Sequence, residues 1–173
     1  MWDFFETVRH RHSVRKFLTD APVETEKLHA VLETACTAPS AGDLQAYHIA
    51  VVTQPGLRER LSRAAHDQAV IRDAPVNLVF FCDPGRSEHE YGKRGKKLYA
   101  VQDATIAAAY TQLAAVAAGL GSTWIGEFDE KDVTKLFDVG EGLRPVAIVS
   151  LGYPAELPAP TRRRPLEDVV TFR

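Results

Sequence analysis

A chain of 173 residues, 45% hydrophobic and 25% charged, has the length and balance of one compact globular domain, which excludes a disordered chain. Its formal net charge of −2 argues against a general polyanion binder. Two cysteines, Cys36 and Cys82, cannot staple a secreted scaffold of this size; both fall in apolar patterns and are expected to be small buried residues.

The acidic, amphipathic start, Met1-Trp2-Asp3-Phe4-Phe5-Glu6, is unlike a signal peptide. Residues 2–9 read as a short helix with Phe4, Phe5 and Val8 on one face, followed by a basic loop over 9–16. Leu28, Val31, Leu32, Ala35 and Cys36 recur at helical spacing, predicting a helix over 26–37 that Pro39-Ser40-Ala41-Gly42 stops. A strand is expected over 48–53, then a helix over 57–70 led in by Pro55. The continuous apolar run 76–82 predicts a central strand covered on both faces. Residues 83–95, polar with several glycines and a proline, predict a mobile loop.

A long helix over 103–118 ends at Gly119, a C-cap residue that can turn left-handed. A short extended piece (124–126), a short helix (130–137), a third buried strand (146–151) and a Pro-rich tail ending in Val169, Val170 and Phe172 complete the chain. Strands interleaved with about five helices predict an α+β or α/β sandwich, one domain over 1–173 without repeats. The 103–118 helix is apolar on every side, and such a helix is buried all round. A chain this small cannot easily wrap it alone, so a second subunit is expected to cover the rest.

Several chemistries are excluded. No GxxxxGK[ST] is present, Gly119-Leu120-Gly121 follows a helix and lacks a third glycine, and neither HExxH nor GxSxG occurs. His10 and His12 lack the partners of a zinc site, so no metal is expected. The apolar stretch 104–120 is interrupted by Thr105, Thr111 and Gln112 and falls short of a membrane span. Reduced cytoplasm is the simplest compartment, with neither membrane nor nucleic acid as partner.

Eleven of the 21 Lys and Arg residues sit in three stretches: Arg9, Arg11, Arg15 and Lys16; Lys93, Arg94, Lys96 and Lys97; Arg162, Arg163 and Arg164. Such concentration suggests a local anionic ligand, with solvated surface charge as the competing reading. In an extended segment Arg11, Ser13 and Arg15 share one side, two guanidinium forks and a hydroxyl that can meet one anion. A basic connector loop fits the same residues, and a solvated tail fits 162–164.

Five motifs in order carry a resemblance to the FMN-dependent nitroreductase family over nearly the whole chain. They are Arg11-His12-Ser13-Val14-Arg15-Lys16-Phe17; Ala38-Pro39-Ser40-Ala41-Gly42-Asp43-Leu44-Gln45; Gly119-Leu120-Gly121-Ser122-Thr123-Trp124-Ile125-Gly126; Pro145-Val146-Ala147-Ile148 through Gly152-Tyr153-Pro154; and Arg164-Pro165-Leu166-Glu167. The resemblance implies an α+β fold, an α/β/α sandwich with a mostly antiparallel central sheet, in an interlocked homodimer with FMN at the interface. It implies that Arg11, Ser13 and Arg164, with Arg162, hold the phosphate, and that His12 and Arg15 lie beside the ribityl chain and ring. Pro39, Ser40 and Asp43 would approach from the partner subunit, while Trp124, Ile125 and Gly126 present backbone near the ring and Gln102 contacts it. A cation at Arg15 would stabilise the anionic reduced flavin.

The implied activity is ping-pong hydride transfer from NADH or NADPH to a small oxidised acceptor (nitroaromatic, quinone or flavin), with no catalytic side chain. Another flavin reaction on the same fold, reductive dehalogenation or dehydrogenation, or flavin binding without turnover, remain alternatives. Asp43 stands where the family usually has Asn, and Ala46-Tyr47 where Pro-Trp is common. The chain is short for the family, which implies an open substrate pocket.

Overall fold

The computed structural model describes residues 3–159 and 161–173; the predicted first helix starts at position 2, outside them. Four strands, β1 (Tyr47–Val52), β2 (Val76–Cys82), β3 (Gly121–Ile125) and β4 (Arg144–Gly152), form one antiparallel sheet in the order β1-β2-β4-β3. β2 is buried at every position, as its unbroken apolar run requires. Alternate side chains of β2 therefore serve two different cores.

Leu78 and Phe80 join Val149 and Leu151 of β4 against α2 (Thr25–Cys36) and α6 (Ala100–Ala117). Val79 and Phe81 join Ile148 against α3 (Pro55–Ala64), α4 (Ala69–Asp73) and α7 (Glu130–Lys135). Asn77, on the second face, is wholly buried yet satisfied: its Nδ2 donates to the Ile71 carbonyl (2.8 Å) and its Oδ1 accepts from the Ser150 hydroxyl (2.6 Å). Helices on both faces of an antiparallel sheet make the expected α+β sandwich.

The first helix, α1 (Phe4–His10), starts on a reciprocal cap: the Asp3 carboxylate accepts from the Glu6 N–H (2.8 Å), and the Glu6 carboxylate from the Asp3 N–H (3.2 Å). Phe4, Phe5 and Val8 are nonetheless exposed, Phe4 at 66% and Phe5 at 67%. α6 buries Ala104, Ala107, Ala108, Thr111 and Ala115 but exposes Ala109 and Ala117, so the chain covers only one side of this apolar helix. An open cavity of about 620 Å³, lined by Phe4, Ala30, Tyr110, Leu113 and Ala114, runs between α1, α2 and α6.

Four expectations are corrected. Residues 83–95 are not a loop but α5 (Pro84–Arg94), with Pro84 in the first turn and Asp83 as N-cap accepting from the Arg86 N–H (2.9 Å). α5 bends at Gly92 (φ 56, ψ −145) and runs through a wider turn, Gly95–Tyr99, directly into α6, which therefore begins before residue 103. The single helix over 57–70 is two, α3 and α4, separated where His66 and Asp67 both take positive φ (57 and 58) without a glycine or proline to signal it. Cys36 is exposed; only Cys82 is buried.

Candidate functional site

The basic segment after α1 is not a free connector. Ser13 forms a parallel bridge with Ser122 of β3, and the Val14 N–H donates to the Ser122 carbonyl (2.9 Å). Val14 is buried against Gly121, where a Cβ would come within 2.8 Å of Val14 Cγ2, so only glycine lets the segment lie so close. Farther on, Phe17 pairs with Pro154 after β4. Arg11, His12 and Ser13 are thereby held half-buried, while Arg15 stays exposed.

Arg11 has a like charge for a neighbour. Its pKa lies below the ordinary guanidinium value, first because burial strips water from it, then because the positive charge of Arg163 is close. The charge of Arg163, from the far end of the polypeptide, thus reaches Arg11, and no carboxylate is among the influences on it. Such an arrangement suits an anion between them, phosphate above all. Arg162 and Arg164 are exposed; the Arg164 Nη2 donates to the Asp168 carbonyl (2.5 Å). Arg163 is exposed as well, and it is the tail arginine whose charge reaches Arg11, a residue that the family resemblance does not single out.

A second group gathers elsewhere. Pro39, Ser40 and Gln102 line a cavity of about 420 Å³ with Tyr99, Asp103 and Ile106. The loop that carries them, 39–46, has left-handed backbone at Gly42, Asp43 and Gln45 (φ 56, 55 and 48). Its restraints come from three directions. Asp103, 2% exposed, accepts from the Ala41 N–H through Oδ1 (2.9 Å) and from the Ala46 N–H through Oδ2 (3.2 Å). The Arg86 Nε of α5 donates to the Leu44 carbonyl (2.5 Å). The Ser40 Oγ accepts from the Gln45 N–H (2.9 Å), which leaves its own proton free to donate outward. Gly42 faces the Tyr91 hydroxyl, so that a Cβ would collide with it.

These two groups do not meet within one chain. Gln102 sits near the start of α6, whereas His12 and Val14 adjoin Val116 near its end, around a cavity of about 100 Å³. The fourteen helical steps from Gln102 to Val116 span about 21 Å at the helical rise. At the end of β3, Trp124 is half-buried, Ile125 buried and Gly126 exposed. Asp43 is exposed and, among the described residues, no ion pair joins it to Arg15. Asp103, Arg86 and Arg163 escaped the motif reading; a lone acid in the first turn of an otherwise apolar helix was the one signal in the sequence that marked Asp103.

Among the described residues no cluster of three or more His, Cys, Asp or Glu could hold a metal, and no helix is long and apolar enough to cross a membrane. The family model described as "Nitroreductase family" matches residues 8–83 and 62–153, and the chain belongs to that family of oxidoreductases. It is 34% identical over 190 residues to an NADH dehydrogenase of Thermus thermophilus, covering 94% of this chain and 92% of that protein. An FMN reductase [NAD(P)H] of Bacillus subtilis is 27% identical over 182 residues, covering 98% and 73%. The solved NADPH:FMN oxidoreductase of Vibrio harveyi, complexed with NAD⁺, superposes with a TM-score of 0.89 at 28% identity, over 98% of this chain and 76% of that one.

Proposed function

We propose that this chain is a homodimeric FMN-dependent oxidoreductase, taking hydride equivalents from NADH or NADPH and passing them to a small oxidised acceptor, a nitroaromatic, quinone or flavin, in ping-pong order. The observation that carries the reading is the basic segment bridged to β3 at Ser13–Ser122, which holds Arg11 and Ser13 half-buried on one edge of the sheet, with the charge of Arg163 reaching Arg11 and no carboxylate among its influences. Relatives of this chain carry the names FMN reductase and NADPH-flavin oxidoreductase.

In this reading Arg11, Ser13 and the tail arginines grip the phosphate, and His12 and Arg15 flank the ribityl chain. The exposed Gly126 backbone at the end of β3 is open to the ring edge. The ring's other flank is met by Pro39, Ser40, Asp43 and Gln102 of the second copy. A single chain keeps its two groups at opposite ends of α6, and a two-fold axis across the middle of that helix brings one copy's start beside the other's end. The same operation covers the open groove between α1, α2 and α6, with Phe4 and Phe5. Bound FMN would supply the redox chemistry, accepting hydride at N5 and giving it to the acceptor. The protein's part is binding and orientation.

The test is a visible spectrum of the purified protein with an FMN titration. Flavin bands and stoichiometric uptake are expected; a colourless protein that gains no bands with added FMN refutes the proposal. Arg11→Ala is expected to weaken FMN binding by about 1.5–3 kcal/mol, the scale of a charged hydrogen bond. Unchanged affinity removes Arg11 from the site.

A further inference from the structure

We propose that Asp103 is a positioning residue of the flavin site, a role that rests on the FMN reading above: its buried carboxylate fixes the 39–46 loop in the form that meets the cofactor.

The backbone of that loop is strained. Asp43 and Gln45 take left-handed conformations that residues with a Cβ rarely adopt, and such conformations persist only where the surroundings impose them. The loop's own hydrogen bonds, Asp43 N–H to the Ser40 carbonyl (3.2 Å), Leu44 N–H to the Ala41 carbonyl (3.1 Å) and Gln45 N–H to the Ser40 Oγ (2.9 Å), close the turn within 40–45 but leave the N–H groups of Ala41 and Ala46 to be held from outside. Asp103 brackets this turn, with one carboxylate oxygen on the N–H that opens it at Ala41 and the other on the N–H just past it at Ala46. The two bonds set the separation of the loop's ends, and therefore the aim of Pro39, Ser40 and Asp43.

A carboxylate suits this post. Both backbone donors need acceptors, which two oxygens supply and an amide supplies only once. Burial at 2% exposure keeps water from competing for either N–H. Asp103 borders the cavity with only 2% of its surface exposed and has both carboxylate oxygens engaged by the Ala41 and Ala46 amides, so its influence on a ligand passes through the loop.

The experiment uses the full chain with three variants: Asp103→Asn, Ala41→Pro and, to gauge general destabilisation, Asn77→Ala on the opposite face of the sheet. FMN dissociation constant, amide hydrogen exchange over 40–46 and melting midpoint are measured for each. Asp103→Asn is expected to raise the FMN dissociation constant about tenfold and to speed exchange at Ala41 and Ala46. Ala41→Pro replaces the donor that faces Asp103 with a Cδ that cannot bond to it, and Ser40 is already extended (φ −138, ψ 160) as a residue before proline must be; it is expected to raise the constant at least about threefold. Asn77→Ala is expected to lower the midpoint at least as far as Asp103→Asn yet leave FMN affinity within about twofold. The inference is overturned if the first two variants keep wild-type affinity, or if affinity merely follows the midpoint across all three. Should Asp103→Asn fail to fold, Ala41→Pro decides alone. A wild-type protein that takes up no FMN defeats the proposed function instead, and unchanged exchange at Ala46 in Asp103→Asn then overturns the positioning role by itself.

Discussion

On one face of the sheet Phe81, Leu61, Ile71 and Val133 close on one another with no accessible surface left, and Phe137 stacks edge-on against Phe81 at 5.6 Å between ring centres. On the other face the strands meet α6 through alanines, and the far side of that helix, with the phenylalanines of α1, lies open. One face finishes its core with its own side chains. The other stops a layer short, and the small residues that stop it are those that let another helix come close. In the proposed homodimer one side of the sheet serves stability and the other assembly, and the two sides should answer differently to substitution.

The largest effect is expected on the closed face. Phe81→Ala leaves a cavity that its tightly packed neighbours cannot fill and should cost about 3–5 kcal/mol of unfolding free energy in urea titration. A loss under about 1 kcal/mol would show that this face is not the stability element. On the open face, Ala114→Glu places a charge in the groove between α1, α2 and α6. Helix content by circular dichroism should hold, while the dimer dissociation constant measured by sedimentation rises about a hundredfold, the scale of an unpaired interfacial charge. A variant that sediments as the wild type does would erase the contrast between the faces.

The smallest effect sharpens the comparison at the rim of the closed face. Asp129 caps α7, accepting from the Asp132 N–H (2.8 Å), and that bond above all holds its pKa below the ordinary carboxylate value. The charged form is the one the folded state favours, so its stabilisation is complete above the ordinary carboxylate range and fades as pH falls through the depressed value. Asp129→Asn, which keeps a cap but no charge, should melt about 1–2 °C lower at pH 6, and the gap should close in acid. A gap that stays constant with pH would mean the charge contributes nothing.

The legible parts of this molecule are those in which each residue answers to its sequence neighbours. β2 reads from its unbroken apolar run, the end of α6 from Gly119, and α3 from Pro55. What could not be read depends on residues far apart in the chain. The break between α3 and α4 rests on two left-handed residues, neither of them glycine, held by contacts across the turn. α5 was read as a loop because Pro84 and the glycines look like breakers, although Pro84 starts the helix and Gly92 only bends it. Cys36 looked buried because α2 is apolar there, yet it falls on the outward side.

The same distinction runs through the site. Arg11 and Ser13 stand out because alternate basic and hydroxyl residues share one side of an extended segment. Arg163 does not, since only the course of the tail decides which of three successive arginines brings its charge within reach of Arg11. Asp103 was passed over beside Gln102 because its partners, Ala41 and Ala46, are backbone amides, which no residue type announces.

One consequence follows from the reach of the Arg163 charge to Arg11, which links the two ends of the chain. A ligand gripped by both would act as a clasp, tying the tail to the segment that follows the first helix. A single proteolytic nick between Ala155 and Thr161 would open that clasp without touching any strand of the sheet, leaving a body that melts as before but holds its anion by one end only.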